Sequence, residues 1–193
     1  MSTSEIISSW KQKSEIDYFS LFFPLWLAFD AWCKDKYGKP TQRKCLEALK
    51  NDGLNNKTYQ KLKTLLQGSD SISETFKSYL TQLNQALEAS PIRYEFNGTE
   101  EPKTLSFKNG LMDKNANPRA YEDLFRTSGQ HNKIELITGI FITDEISKIY
   151  RAYIEILYQV RCRLIHGDLS PNKENERLIK YLYLTLKDLM GEI

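Results

Sequence analysis

Apolar residues recur along most of the chain at three- and four-residue intervals, the spacing of one face of a helix. The first such run covers residues 16–37 and stops at Gly38 and Pro40, which stand just past its last periodic position. Pro24, inside the run, marks either a kink or the true first turn. Shorter helices are predicted over residues 42–50 and 57–67, separated by the turn-forming stretch Asn51-Asp-Gly-Leu-Asn-Asn. A helix over residues 72–88 places Phe76, Leu80, Leu83 and Leu87 on one face. Helix is expected again near residues 120–125 and 135–140, then in a long element over 144–165 that ends at Gly167. Ser170-Pro171, a capping residue followed by proline at the first helical position, starts a last helix whose stripe is Leu178, Leu182, Leu186 and Leu189.

The middle of the chain breaks this rhythm. Turn formers cluster at Asn97-Gly98, Pro102, Asn109-Gly110 and Asn117-Pro118, and between them Ile92, Tyr94 and Phe96, then Leu105 and Phe107, alternate as half-buried strands do. Residues 90–118 are therefore expected to form a small hairpin or an irregular excursion. The fold class expected is an all-α, up-and-down helical bundle with that insertion, forming a single domain over residues 1–193.

Composition narrows the function. A net charge of +2 is too small to argue for nucleic acid, so any such argument must come from local clusters. One cluster lies between residues 34 and 63, where nine Lys and Arg stand against Asp35, Glu47 and Asp52. Lys34, Lys36, Arg43, Lys44, Lys57 and Lys61 are the candidate RNA-backbone contacts there; the alternative is a solvated surface of two short helices. Cys33, Cys45 and Cys162 are odd in number and lack close pairing, which speaks against a disulfide framework and a zinc site. No metal and no cofactor are expected, and a reducing, cytoplasmic setting is. The N-terminus has neither the basic nor the apolar region of a signal peptide. The most apolar stretch, residues 18–33, is shorter than the ~20 residues a membrane span needs and contains Pro24 and Asp30, so no membrane association is expected.

At about 100° per residue, Ile146, Tyr150, Tyr153, Leu157, Val160 and Leu164 form the core stripe of the long helix. Arg161 and His166 point away from it, and between them in projection lie Ile154, Tyr158, Cys162 and Ile165. A helix apolar on two sides must cover both, with another helix or another chain. Asp30 is the only carboxylate within residues 18–33, and a buried carboxylate needs a partner. Arg161 is the first candidate and Arg163 the second; otherwise Asp30 faces solvent. The bland alternative for the pair is that Arg161 is a surface cation and His166 a helix cap.

The segment Tyr158-Gln-Val-Arg161-Cys-Arg-Leu-Ile-His166-Gly resembles the signature of the HEPN superfamily, in which Arg, four to six residues and His stand near the end of a helix. The aromatic stretch Phe23-Pro-Leu-Trp-Leu-Ala-Phe-Asp30-Ala-Trp is similar to the family's first core helix, where a polar residue often supports the motif arginine. The resemblance implies a helical bundle of HEPN type, dimerised so that two motifs meet. It implies metal-independent endoribonuclease activity of the kind found in toxins and antiviral effectors. Arg161 and His166 would be catalytic, with Asp30, Cys162, Arg163 and Tyr158 supporting them. RNA and a second copy of the chain are the implied partners, with an antitoxin or a nucleotidyltransferase as further ones. The tyrosine that accompanies the nucleotidyltransferase in the family is replaced here by Asp168, and Cys162 and Arg163 stand where relatives carry Asn or Asp.

Those residue types suit the chemistry. Histidine, with an unperturbed pKa of about 6.5, moves protons at neutral pH, and arginine holds a permanent charge in a fixed fork of donors. The chain has two histidines, and His131 lies in a polar loop away from any motif, so one subunit offers one catalytic histidine and a two-fold dimer offers two. The other readings are a non-catalytic module binding nucleic acid, nucleotide or protein, and a structural dimerisation domain. Phosphate-binding, nucleophile-elbow and metalloprotease motifs are absent from the sequence.

Overall fold

The computed structural model describes residues 4, 7, 16–90, 92–94, 103–108, 123–191 and 193. Among these, helix α1 is Tyr18–Tyr37, α2 Gln42–Asn51, α3 Lys57–Gln67 and α4 Ser71–Ala89. Strands β1 (Arg93–Tyr94), β2 (Lys103–Thr104), β3 (Phe125–Arg126), β4 (Lys133–Ile137) and β5 (Ile140–Thr143) follow, then α5 (Ile146–Ile165) and α6 (Lys173–Met190). The described residues are mainly α, with a two-stranded and a three-stranded antiparallel sheet, and none of the described helices is long and apolar enough to cross a membrane.

Local chemistry sets the helix ends. Asp17 caps α1 by accepting from the Phe19 and Ser20 amides at 3.0 and 3.2 Å. Gly38, at φ +56°, closes it by donating its N–H to the Lys34 carbonyl at 2.8 Å. Pro24 lies well inside the helix, not in its first turn. It and Ser20 face solvent, so the carbonyl that Pro24 leaves unbonded is open to water. The last helix starts later than its Ser170-Pro171 pair suggests: Asn172 is the cap, accepting from the Asn175 amide at 2.8 Å.

Two expected helices are corrected. The one over 135–140 is strand, turn and strand: β4 and β5 pair with Ile137 opposite Ile140, and the bend between them is Thr138-Gly139, with Gly139 at φ +79°. These β-branched residues alternate around a two-residue turn, which favours a hairpin over a helical face. Where helix was expected over 120–125, residues 120–122 lie outside the described set and Phe125 begins β3, which pairs with β5 to give the order β3-β5-β4. In the 90–118 region β1 and β2 pair antiparallel, with Ile92, Leu105 and Phe107 buried; residues 95–102 and 109–118 lie outside the described residues.

Buried side chains from all six helices and from the β segments form one cluster. In it α6 packs between α1 and α4, α3 touches α4, α5 and α6, and β4 lies against α4. Helix α5 runs through the middle: every residue over 149–157 is buried except the half-buried Arg151. Two polar junctions hold it there. Asn56 caps α3 through its Oδ1, and its Nδ2 donates to the Leu49 carbonyl at 2.8 Å and the Tyr150 hydroxyl at 2.9 Å. Thr58 completes that junction, 2.6 Å from the Tyr150 hydroxyl.

The second junction is ionic. Glu155, its side chain 3% exposed, accepts from Arg43 Nη1 at 2.7 and 2.8 Å, from Lys50 Nζ at 2.6 Å and from Gln159 Nε2 at 2.9 Å. Burial alone would push its pKa up; Lys50 and Arg43 outweigh that and hold it below the ordinary 4.5. Because the folded value is the lower one, its stabilisation is complete above about pH 4.5 and is lost as the pH falls through the folded value. Glu155→Leu strands the Lys50 ammonium in the core and should cost about 3–5 kcal/mol in urea unfolding. Adding Lys50→Met should recover most of that loss, since Arg43 reaches solvent, and should weaken the acid dependence; a double variant no more stable than the single one would show the cluster is not self-contained.

Candidate functional site

The candidate pair sits where α5 leaves the core. Val160 is fully buried, Arg161 to Leu164 are half-buried, and Ile165 to Asp168 are exposed. The helix ends in a Schellman turn: the Gly167 N–H donates to the Leu164 carbonyl at 3.3 Å and the Asp168 N–H to the Arg163 carbonyl at 2.9 Å. Gly167 takes φ +74°, the left-handed conformation such a turn requires. The Arg163 guanidinium also reaches the Asp168 carboxylate at 3.1 Å, tying the turn from its side chains. His166 is the last residue before the reversal and stands exposed at its rim.

Arg161 lies one and a half turns earlier, its guanidinium carbon 5.7 Å from the Trp26 ring centroid. Its Nη1 donates to Cys162 Sγ at 3.9 Å, and Nε, buried, has no hydrogen-bond partner among the described residues; neither has the buried Trp26 Nε1. The expected Asp30–Arg161 pair does not form, nor does the second choice, Asp30–Arg163. Asp30 is buried, as its helix face implies, but its carboxylate takes Lys34 Nζ at 2.7 Å and Gln42 Nε2 at 2.7 Å. A lysine one turn on and a glutamine from α2 satisfy it locally, which leaves Arg161 with its charge and no carboxylate among the described residues.

The second apolar face of α5 is covered partly by its own chain. Ile154 is buried, and the Arg43 guanidinium carbon lies 5.3 Å from the Tyr158 ring. Burial, with Cys162 beside it, holds the Tyr158 phenol above its usual range. Ile165 is 44% exposed. Helix α1 also presents apolar surface outward: Phe23 and Leu27, 41% and 50% exposed, are joined by exposed Pro24, Ala28 and Ala31.

The basic cluster near residues 34–63 is largely spent inside the fold. Lys34 pairs with Asp30, Lys36 with Asp52 at 2.9 Å, and Arg43 with Glu155 and Glu47. Lys61 is half-buried and engaged, so of the six candidates only Lys44 and Lys57 are exposed cations without an ion pair among the described residues. His131 is exposed in the turn before β4, away from α5 in sequence. Sequence reasoning missed Glu155, although it is an acid within an apolar helix, as Asp30 is.

Comparison of the chain with protein-family models, with curated proteins and with solved structures finds no match in any of the three. The resemblance to the HEPN superfamily rests on the residues quoted above.

An added Cβ at Gly167 meets nothing within 4 Å, so any cost of replacing it is conformational. Gly167→Ala should lower stability by about 1–2 kcal/mol in urea unfolding, and Gly167→Asn by less, because asparagine tolerates the left-handed region. Equal losses would point away from backbone strain as the cause.

Proposed function

We propose that the chain is a metal-independent endoribonuclease that cuts single-stranded RNA in a cleft shared by two subunits, as a toxin or antiviral effector would. The observation that carries this reading is the Arg161 guanidinium: seated on Trp26, with a buried Nε and no carboxylate beside it, one and a half turns from an exposed histidine. A cation kept in the protein and left uncompensated is suited to a phosphorane, which carries the charge it lacks.

In this reading the RNA 2′-hydroxyl attacks the adjacent phosphorus and the bond to the 5′-oxygen breaks. One His166 takes the 2′ proton and the other gives a proton to the departing 5′-oxygen, leaving a 2′,3′-cyclic phosphate and a free 5′-hydroxyl. Each subunit brings one such histidine. The outward stripe of α1 and Ile165 supply apolar surface on which two copies meet. A reading of HEPN type agrees with a mainly helical chain whose motif helix ends at His166.

A second reading is a non-catalytic module that binds nucleic acid, nucleotide or a partner protein. It is favoured by one fact: Arg161 and His166 stand about 140° apart around α5 and do not converge within one chain. Metal-free cleavage of a labelled single-stranded RNA in EDTA separates the two. His166→Ala should lower the rate at least ~100-fold and Arg161→Ala ~10²–10³-fold. In mixtures of wild type and His166→Ala, the rate should follow the square of the wild-type fraction. Undiminished cleavage by both variants would overturn the proposal, a linear dependence would overturn the shared cleft, and binding without cleavage would favour the second reading.

A further inference from the structure

Helix α6 bears a second cationic surface, which the motif of α5 does not use. Lys173, Arg177, Lys180 and Lys187 recur at intervals of four, three and seven residues, which places them within about 80° around the helix. Lys173, Arg177 and Lys180 line an open cavity of about 600 Å³ with Tyr18, Tyr181 and Glu176. That size falls within the ~300–1,000 Å³ of small-ligand sites.

The arrangement within the cavity is specific. Glu176 stands four residues before Lys180, the spacing of a helical ion pair, yet Lys180 Nζ lies 5.5 Å from the ring centroids of both Tyr18 and Tyr181. The rings are braced from behind: Tyr18 packs on Tyr183 at 5.9 Å and Tyr181 on Tyr79 at 6.2 Å. Arg177 is held by two neutral partners, Gln82 and Gln85 of α4, which leave its charge uncompensated. None of the three cations makes an ion pair among the described residues. Cations of one sign around a concavity raise its potential for anions, and braced aromatic rings offer a base a surface to stack on. An acidic peptide would engage the cations and leave the rings idle.

We propose that this cavity is a subsite for one nucleotide unit of single-stranded RNA, with the phosphate on Lys173 and Lys180 and the base against Tyr18 or Tyr181. The assignment rests on the RNA reading above and extends it by giving the strand a second point of attachment. Seven residues separate His166 from Lys173, so their Cα atoms are at most about 25 Å apart, within reach of one bound strand.

The test uses the full chain carrying His166→Ala, to prevent cleavage, and a fluorescein-labelled oligouridylate followed by anisotropy from about 50 to 200 mM salt. Adding Lys173→Glu and Lys180→Glu should weaken binding about tenfold or more at low salt and reduce the salt slope by about 0.7, the value for one phosphate left unneutralised. An unchanged thermal midpoint in the same variant checks that it remains folded. Unchanged affinity and slope would overturn the subsite and leave the nuclease reading standing. Lysine-dependent binding without any cleavage by the wild type would sink the nuclease reading and keep the subsite. Lysine-dependent binding of AMP with no gain for the oligomer would make it a mononucleotide site and overturn the RNA assignment.

Discussion

The carboxylate of Glu155 is the constraint around which the helices are arranged. An acid at that depth is tolerated only while Lys50 and Arg43 stay against it, which obliges α2 to lie along α5 in one register. Arg43 then does double duty, since the same guanidinium that meets Glu155 covers Tyr158 one turn further on. The inner half of α5 is locked by charge and by apolar burial together, and the direction in which its outer half leaves the core follows.

That division organises the site. The residues of α5 that hold the fold, Ile149 to Leu157 apart from Arg151, together with Val160, are buried, and Arg161 and His166 lie on the stretch beyond them, where the helix leaves the core. Arg161 is held by an aromatic ring in place of an acid, and His166 by a turn made of main-chain hydrogen bonds. The ring leaves the Arg161 guanidinium its charge and its Nε donor unpartnered among the described residues, and the turn leaves the His166 side chain exposed. A carboxylate on Arg161 would have neutralised the quantity an anionic ligand needs.

The six helices were legible because each has a period and most have a stop: Gly38 after α1 and Gly167 after α5 are examples. The alternation around Tyr94 and Leu105 announced the β1–β2 hairpin, but the three-stranded sheet was not legible, because the apolar run around Ile137 and Ile140 is too short for period to separate strand from helix; Thr138-Gly139 between β-branched residues was the available signal. Arg161 and His166 fall where the spacing puts them, off the core stripe at the end of α5. The Asp30 pairing failed for a different reason: a helical projection shows which residues face inward but not which of several near partners a buried acid will take. Lys34, one turn away, was the simplest. Within the basic cluster, Lys34 and Lys36 take acids close by, Asp30 and Asp52, whereas Arg43 also meets Glu155, more than a hundred positions along the chain, where local charge counting does not look.

The junction at Asn56 has a consequence in time. Its Oδ1 serves the first turn of α3, a contact three residues long, and its Nδ2 serves Tyr150, 94 residues on. The first forms as soon as the helix does; the second waits until the chain between has closed a loop whose entropy costs about 4 kcal/mol. The polar groups of α2 and α3 that grip α5 therefore stay hydrated until that loop has closed, a cost that a helix forming on its own does not meet.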